Sequence, residues 1–248
     1  MCSGSLPARR RQDRTALNWI VLNRIVMNRI AMKLPDLADL PYARALLRHD
    51  GALDSDREYD TVLFERAEYH DPHMPNAHFL ECAFQQVSIS NGQLQRAGLR
   101  DVWLRDVRLT GTSLAESAWQ DVTVIGSSLA GVQVFGAELR RVVFSGCKLD
   151  SVNFRASRLT SVTFRNCVLS DVDFGGATLT QCSFPGSALT RADMSKVTMD
   201  RTDLRDAELG LIIDAGSLRG AIISSGQLAV VAPVLAATLG IVIDDQQP

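Results

Sequence analysis

The chain has 248 residues, 46% of them hydrophobic, and its mean hydropathy of +0.03 is ordinary for a folded globular protein. Its formal net charge at pH 7 is only −2. This charge is too small to create the long-range field typical of proteins that bind nucleic acids or membranes, so the sequence predicts direct binding to neither.

Residues 1–31 fit neither the repeat described below nor a clean amphipathic helix. Their apolar stretch, Trp19 to Met32, is interrupted by Arg24 and Arg29. A secretory signal needs an unbroken apolar centre, and a transmembrane helix needs about eighteen apolar residues or more, so we expect neither. We predict a disordered or non-native extension, with the native start at Met27 or Met32.

For residues 32–59 the sequence predicts an N-terminal cap segment. Pro41 suits the first position of a helix, so we expect a short helical segment that begins near Pro41 and ends before Gly51. The apolar residues of this segment are Leu37, Leu40, Leu46 and Leu47.

A period of five residues governs residues 60–222. In 27 consecutive pentads from Phe79 to Leu209, a reference position i is always apolar and position i−2 is always small or β-branched. Five residues advance an α-helix by about 500°, and an odd step reverses the face of a flat strand, so neither element keeps this pattern on one side. The pattern therefore predicts a coil that is extended from i−2 to i, turns a corner in the other three residues, and has a filled interior.

The alternation of phenylalanine and leucine indicates the number of sides. Phenylalanine and leucine occupy position i in turn between residues 144 and 189. A four-sided coil of twenty residues would stack Phe144 on Phe164 and Phe184, whereas a three-sided coil would place it on leucine, so volume matching favours four sides. Glycine, which suits tight turns, occurs at the corner position i+2. These glycines are Gly111, Gly126, Gly131, Gly136, Gly146, Gly176 and Gly186.

Segments such as Ala137–Arg141 (AELRR) and Ala207–Leu209 (AEL) resemble the A(D/N)LXX repeats of the pentapeptide-repeat proteins. The resemblance covers about residues 60–222. It implies an all-β solenoid, a right-handed quadrilateral β-helix of about eight coils with strands at the ordinary spacing. The pattern is broken at Asp71–Pro75, where Pro72 occupies an i−2 position, so we expect the first coil to be irregular there.

For residues 223–248 the sequence predicts a helical C-terminal cap and tail. Leu218 to Ile223 is expected to be the last strand, and Ser224 to Gln227 has the pattern of a capping box. A helix would follow over Leu228 to Leu239, broken or kinked at Pro233 and closed by Gly240. Because this segment is strongly apolar, it either covers the last coil or also forms a homodimer contact.

The only cluster of histidines is His70, His73 and His78, with Asp71 and Glu81 nearby. These residue types could bind a metal ion. No helix fixes their spacing, however, and two prolines interrupt the stretch, so we interpret them as a solvated loop. We predict no metal site and no cofactor.

Cysteine usage indicates packing in a reducing, cytoplasmic setting. The cysteines form no CxxC pair and show no metal-ligand spacing. Cys147 and Cys167 are expected to stack one coil apart, and Cys182 occupies another i−2 position, so we interpret these thiols as small buried apolar groups. The five cysteines are Cys2, Cys82, Cys147, Cys167 and Cys182.

No arrangement of serine, histidine and acid indicates a catalytic triad, and no glycine-rich loop indicates a phosphate site. We therefore predict no catalytic residue and a function on the outer surface. The first hypothesis is a non-enzymatic scaffold or protein-interaction module with an unknown protein partner. The family resemblance implies an alternative, a mimic of duplex DNA that binds DNA gyrase or another type II topoisomerase, as in quinolone resistance. Residues 61–210 carry 17 acidic and 15 basic residues, which is a weak charge for such mimicry.

Overall fold

The computed structural model describes residues 34–51, 53, 58–214 and 216–242. They belong to two compact units that divide between Ala45 and Leu46. The described part of the first unit contains two 3₁₀ turns, Leu37–Asp39 and Ala43–Ala45. The short helical segment expected near Pro41 is thus a single 3₁₀ turn. Residues 1–33, with the predicted native start at Met27 or Met32, lie outside the described residues.

The second unit consists of short parallel strands and one α-helix. Most strands have three residues, because the chain turns a corner after each of them. In chain order, the described strands are β1 (Leu47–Arg48), β2 (Glu58–Asp60), β3 (Val62–Glu65), β4 (Glu68–His70), β5 (His78–Leu80), β6 (Ala83–Gln85), β7 (Ser88–Ser90), β8 (Gly98–Arg100), β9 (Trp103–Arg105), β10 (Arg108–Thr110), β11 (Ala118–Gln120), β12 (Thr123–Ile125), β13 (Ser128–Ala130), β14 (Glu138–Arg140), β15 (Val143–Ser145), β16 (Lys148–Asp150), β17 (Arg158–Thr160), β18 (Thr163–Arg165), β19 (Val168–Ser170), β20 (Thr178–Thr180), β21 (Ala188–Asp193), β22 (Thr198–Asp200), β23 (Thr202–Asp203), β24 (Glu208–Ile212) and β25 (Ala221–Ile222).

The strands stack into the faces of a four-sided β-helix. Face 1 is the sheet β2-β5-β8-β11-β14-β17-β20-β22, face 2 contains β1-β3-β6-β9-β12-β15-β18 and further on the pair β23-β25, and face 3 is β4-β7-β10-β13-β16-β19-β21-β24. Face 4 is joined by single parallel bridges through residues 73, 93, 113, 133, 153, 173 and 193. Partners in successive coils are twenty residues apart, as in Leu139 opposite Leu159, so the predicted square coil of twenty residues is confirmed.

Between residues 144 and 189, the interior contains columns of identical residues. The ring centroids of Phe144 and Phe164 are 4.9 Å apart and those of Phe164 and Phe184 are 5.0 Å apart, with the rings within 10° of parallel. Phe154 and Phe174 form a second stack at 5.2 Å. All five rings are at most 1% exposed. Stacking like on like keeps every layer at the same volume, which is why the predicted phenylalanine column forms.

Every regular corner has a residue in the left-handed region at position i+2. The predicted glycine corners are confirmed, for example at Gly146 with φ +62°, but 23 residues other than glycine adopt the same conformation. Such a residue costs about 1–2 kcal/mol. The corner N–H offsets part of this cost by donating to the next coil, as from Arg96 to the Ala115 carbonyl at 2.8 Å.

The expected irregularity at Asp71–Pro75 was wrong. The segment turns like the later coils, and Pro72 accepts a 2.8 Å hydrogen bond from Gln93. Proline fits at i−2 because the ladder uses the carbonyl there. Pro75 occupies position i+1. In later coils of face 4 the N–H at this position donates to a nearby side chain, as from Gly175 to Asp173 Oδ1 at 2.7 Å, so a proline fits there.

The first coil is closed by residues of the same unit. Strand β1 pairs with β3, and the N–H of His49 donates to the Leu63 carbonyl at 2.9 Å. The His49 ring then packs against Tyr59 and Phe64, at centroid distances of 5.6 and 5.1 Å. This arrangement gives hydrogen-bond partners to part of the backbone at the first sheet edge, and it covers two core aromatic rings.

The last strand and the C-terminal helix differ in detail from the predictions. Strand β25 is only Ala221–Ile222, because residues 216–220 form turns. Helix α1 spans Ser225–Thr238 and begins with the predicted capping box of Ser224 and Gln227. It continues through Pro233, which lies on the exposed side where water can satisfy the carbonyl that loses its N–H partner.

Helix α1 caps the last coil. The Gln227 side-chain amide donates to the carbonyls of Leu204 and Ala207, each at 2.7 Å. Val231 is 4% exposed, and Leu235 packs against the core. As predicted, Gly240 closes the helix two residues after its last helical residue: it has φ +73° and its N–H donates to the Ala237 carbonyl.

Candidate functional site

Side chains fill the interior of the described coils. The buried i−2 positions include hydroxyl groups, and these are hydrogen-bonded: Ser157 donates to the Val134 carbonyl at 2.8 Å, and Thr202 donates to the Leu179 carbonyl at 3.0 Å. Among the described residues, no buried side-chain nitrogen or oxygen lacks a partner. The inside of the coil therefore offers no polar group to a ligand, and candidate sites lie on the outside.

The histidines of the candidate metal cluster point in different directions. His70 lies on face 3, His73 on face 4 and His78 on face 1. His70 Nδ1 is 2.8 Å from the hydroxyl oxygen of Ser90 in the next coil. Within the described part of the chain, no group of three or more histidine, cysteine, aspartate or glutamate side chains is placed to hold a metal ion. The three side chains are exposed, as the interpretation as a solvated loop requires, but they do not lie in a loop, since all three residues belong to the regular coil.

The described cysteines lie in the core, where burial suppresses their reactivity. Burial raises the pKa of the Cys82 thiol to about 11 and that of Cys182 to about 12. Cys147 and Cys167 stack one coil apart as predicted, and a hydrogen bond with Cys147, together with burial, raises the pKa of Cys167. All four thiols are free, and the three whose pKa is raised stay protonated at neutral pH, which makes them poor nucleophiles. Cys2 lies outside the described residues.

Face 2 carries outward residues that are not accessible. Trp103 occupies position i−1 on β9, between Ala83 and Thr123, so its side chain points away from the coil interior. It is nevertheless 1% exposed, and Ala83 is fully buried. The sequence pattern did not indicate this, because position i−1 is outward in every pentad. This part of face 2 is therefore not a free docking surface.

Face 4 has an accessible, mostly uncharged strip. Its outward position i−1 carries Gln93, Ser113, Gln133 and Asn153 in successive coils, in register through parallel bridges. The Asn153 amide donates to Gln133 Oε1 at 2.9 Å. Phe135 stands beside this ladder and is 43% exposed. The sequence analysis missed this strip, although an aromatic residue at the outward position i+1 is the signal that could have found it.

Faces 1 and 3 and their corners are covered by mixed charges that pair between coils. Arg141 Nε and Nη2 bind both carboxylate oxygens of Asp121, at 2.6 and 2.7 Å. Arg191 binds Asp171 in the same two-point geometry, and this hydrogen bonding lowers the pKa of Asp171. The acids on these surfaces are thus partly neutralised by neighbouring arginines.

Three acids stack at the corner between faces 1 and 2. Glu81, Asp101 and Asp121 occupy position i+2 of successive coils. Burial, and then the charge of Asp121, raise the pKa of Asp101 to about 6. Carboxylates at this spacing repel one another, so the row reaches its full negative charge only as the pH rises above about 6.

These features define a class: a parallel β-solenoid with a closed core, whose accessible chemistry is on its outer faces and end caps. Residues 136–212 match the family model of the pentapeptide repeat region. This match, together with the five-residue period realised in square coils, makes the chain similar to the pentapeptide-repeat proteins. A comparison with curated proteins found no match.

Solved structures of the same fold are similar to this chain at low identity. A trypsin-treated form of QnrB1, a plasmid-mediated fluoroquinolone resistance protein, is 16% identical, with a TM-score of 0.38, and the match covers 76% of this chain and 100% of that one. HetL, a pentapeptide repeat protein involved in heterocyst differentiation regulation from Nostoc sp. strain PCC 7120, is 19% identical over 71% and 93%, with a TM-score of 0.26.

Proposed function

We propose that this protein is a non-enzymatic scaffold, a protein-interaction module that binds its partner through the strip on face 4. The observation that carries the proposal is Phe135, an aromatic side chain left 43% exposed beside an uncharged ladder of amides. Exposed aromatic residues next to polar side chains are typical anchors of protein interfaces. We place the protein in the cytoplasm, a setting that suits its four free buried thiols.

The partner's chemistry follows from the strip. The amides of Gln133 and Asn153 offer donors and acceptors at strand spacing, and Phe135 offers an apolar anchor. A protein surface with an apolar pocket next to unpaired main-chain or amide groups fits this pattern. A nucleic acid would require a row of lysine or arginine, and position i−1 carries no basic residue from Gln93 to Asn153. No helix among the described residues has the length and apolar character required to span a bilayer.

The alternative, DNA mimicry toward a type II topoisomerase, requires a sustained negative surface. Arg141 pairs with Asp121, Arg191 pairs with Asp171, and the pKa of Asp101 is raised to about 6. These observations do not favour a phosphate-like field. The alternative is therefore kept as an outcome of the test.

The test compares two variants that lose equally exposed apolar side chains from different faces. Phe135→Ser removes the anchor from face 4, and Val168→Ser removes a 45% exposed side chain from face 3. We expect affinity capture to identify a protein that binds wild type and Val168→Ser and is lost with Phe135→Ser. A partner retained by Phe135→Ser would overturn the proposed site. Inhibition of purified DNA gyrase supercoiling by micromolar protein would overturn the proposal in favour of DNA mimicry.

A further inference from the structure

Face 3 carries a row of four hydrogen-bond donors at its outward position i−1. The row crosses strands β7, β10, β13 and β16, whose parallel pairing holds the four residues in register. We call this row the donor ladder; it consists of Ser88, Arg108, Ser128 and Lys148. Neighbouring strands are about 4.8 Å apart, so the hydroxyl of Ser128 lies between two cationic side chains.

The two cations of the donor ladder are exposed. In the part of the chain that the structure describes, neither Arg108 nor Lys148 forms a side-chain hydrogen bond or an ion pair, whereas Arg141 and Arg191 bind carboxylates of adjacent coils. Asp150 lies two residues from Lys148 on the same side of β16, but the corresponding residue beside Arg108 is Thr110. Arg108 therefore offers its full set of donors to an anion.

A groove of about 360 Å³ lies beside the donor ladder, at the corner between faces 2 and 3. The corner row passes from Gln86 and Asp106 to Gly126, and the glycine leaves open the space that a side chain would fill. The carboxylate of Asp106 overhangs this glycine, since its Oδ1 would lie 2.9 Å from a Cβ atom there. Asp106 Oδ2 is also 3.9 Å from Arg105 Nε, which partly balances its charge. The polar lining of the groove comprises Gln86, Ser88, Asp106, Arg108 and Ser128.

We propose that the donor ladder and this groove bind the phosphate monoester of a small hydroxylated compound. The phosphoryl group lies above Ser128, where the guanidinium of Arg108 binds two of its oxygens and Lys148 adds a second positive charge. The esterified group enters the groove, where Asp106 accepts hydrogen bonds from its hydroxyls. The Gln86 side-chain oxygen already accepts from Arg66 at 3.2 Å, so its amide nitrogen remains to donate to the same hydroxyls.

The chemistry of the site disfavours other anions. A carboxylate has two oxygens, fewer than the donors of the two cations and the Ser128 hydroxyl, whereas a phosphoryl group has three. A nucleic acid backbone requires a longer row of cations, and the donor ladder is followed by Glu68 at one end and Val168 at the other. No residue of the face 4 strip belongs to this site, so the inference does not depend on the proposed protein partner.

The experiment is isothermal titration calorimetry of the full chain with glycerol phosphate, inorganic phosphate and glycerol. We expect saturable binding of both phosphate compounds, tighter for glycerol phosphate, and no binding of glycerol. Arg108→Gln should raise both dissociation constants at least about 10-fold, because it removes charge-assisted hydrogen bonds. The control is Arg158→Gln, which removes an exposed arginine from the same position i−1 on face 1 and is expected to bind like wild type.

A second variant tests the groove separately from the donor ladder. Gly126→Asn fills the groove, and asparagine is tolerated at this corner, since Asn166 has φ +49° two coils further on. We expect Gly126→Asn to keep the affinity for inorganic phosphate and to lose the preference for glycerol phosphate.

A wild type that shows no saturable binding of either phosphate compound up to about 10 mM would overturn the proposal. Equal weakening by Arg108→Gln and Arg158→Gln would also overturn it, because binding would then follow overall charge. A Gly126→Asn variant that still prefers glycerol phosphate would refute the groove as the place of the esterified group. Far-UV circular dichroism checks that the variants keep the wild-type unfolding midpoint, and Lys148→Gln replaces Arg108→Gln if the latter unfolds.

Discussion

The column of phenylalanine rings is the part of the core whose energetic role can be predicted most directly. Phe164 is fully buried, with parallel rings of Phe144 and Phe184 at 4.9 and 5.0 Å. The rings of Phe154 and Phe174 lie edge-on at 6.2 Å. Replacing a buried phenylalanine with alanine costs about 3–5 kcal/mol, and each aromatic pair adds about 0.5–1.5 kcal/mol beyond area burial. We expect Phe164→Ala to cost about 5 kcal/mol.

Urea unfolding followed by far-UV circular dichroism measures this cost. With a slope of about 2 kcal/mol per molar urea, a loss of about 5 kcal/mol lowers the midpoint by about 2.5 M. Phe164→Leu keeps most of the volume and is expected to cost about 1.5 kcal/mol. Val168→Ala, on the outer surface of face 3, is expected to change the free energy of unfolding by less than about 0.5 kcal/mol. A midpoint shift for Phe164→Ala no larger than that for Val168→Ala would refute the packed column.

Two further predictions concern the corners and the last turn. Because the pKa of Asp101 is raised to about 6, the folded state binds a proton more tightly than the unfolded state, so this group's contribution to stability decreases as pH rises from about 4 to 6. Asp101→Asn removes a partly buried charge and its repulsion from Asp121, and should therefore stabilise the protein by up to about 1 kcal/mol at pH 7, after allowing for solvent screening. It should also flatten the pH dependence of the urea midpoint, and an unchanged pH profile would contradict this prediction. Gly146→Ala should cost only about 1–2 kcal/mol of backbone strain, since no atom lies within 4 Å of the added methyl group. Gly220→Ala should lower the free energy of unfolding by more than Gly146→Ala in the same urea titration, because its Cβ would collide with the Met199 carbonyl. Equal urea midpoints for the two variants would contradict the close approach of Gly220 to the Met199 backbone.

The inward positions could be predicted from the sequence because only a few residue types, of a few side-chain volumes, occupy each column of the interior. Phe144 and Leu149 alternate along the chain, and only a four-sided coil brings like onto like. The prediction at Pro72 failed for a specific reason. The sequence shows that proline lacks an N–H, whereas only the fold shows that position i−2 contributes its carbonyl to the ladder.

The outward positions could not be predicted in the same way. Trp103 and Phe135 both occupy outward positions of their pentads, yet one is 1% exposed and the other 43% exposed. The period of five specifies which way a side chain points, but it does not specify what lies next to that side chain. The candidate site therefore depended on the structure, whereas the coil did not.

The i−2 position explains why the cysteines of this protein serve the fold. Cys182 Sγ donates to the Leu159 carbonyl at 3.4 Å, in the same way that Ser157 donates to Val134 and Thr202 donates to Leu179, each to the residue 23 positions earlier. Every such slot thus offers a carbonyl acceptor to a small side chain with one donor. A thiol that donates there must stay protonated, and burial holds it in that form. The same geometry that accepts serine or threonine thus keeps cysteine from acting as a nucleophile, which leaves binding chemistry to the outer faces and the caps.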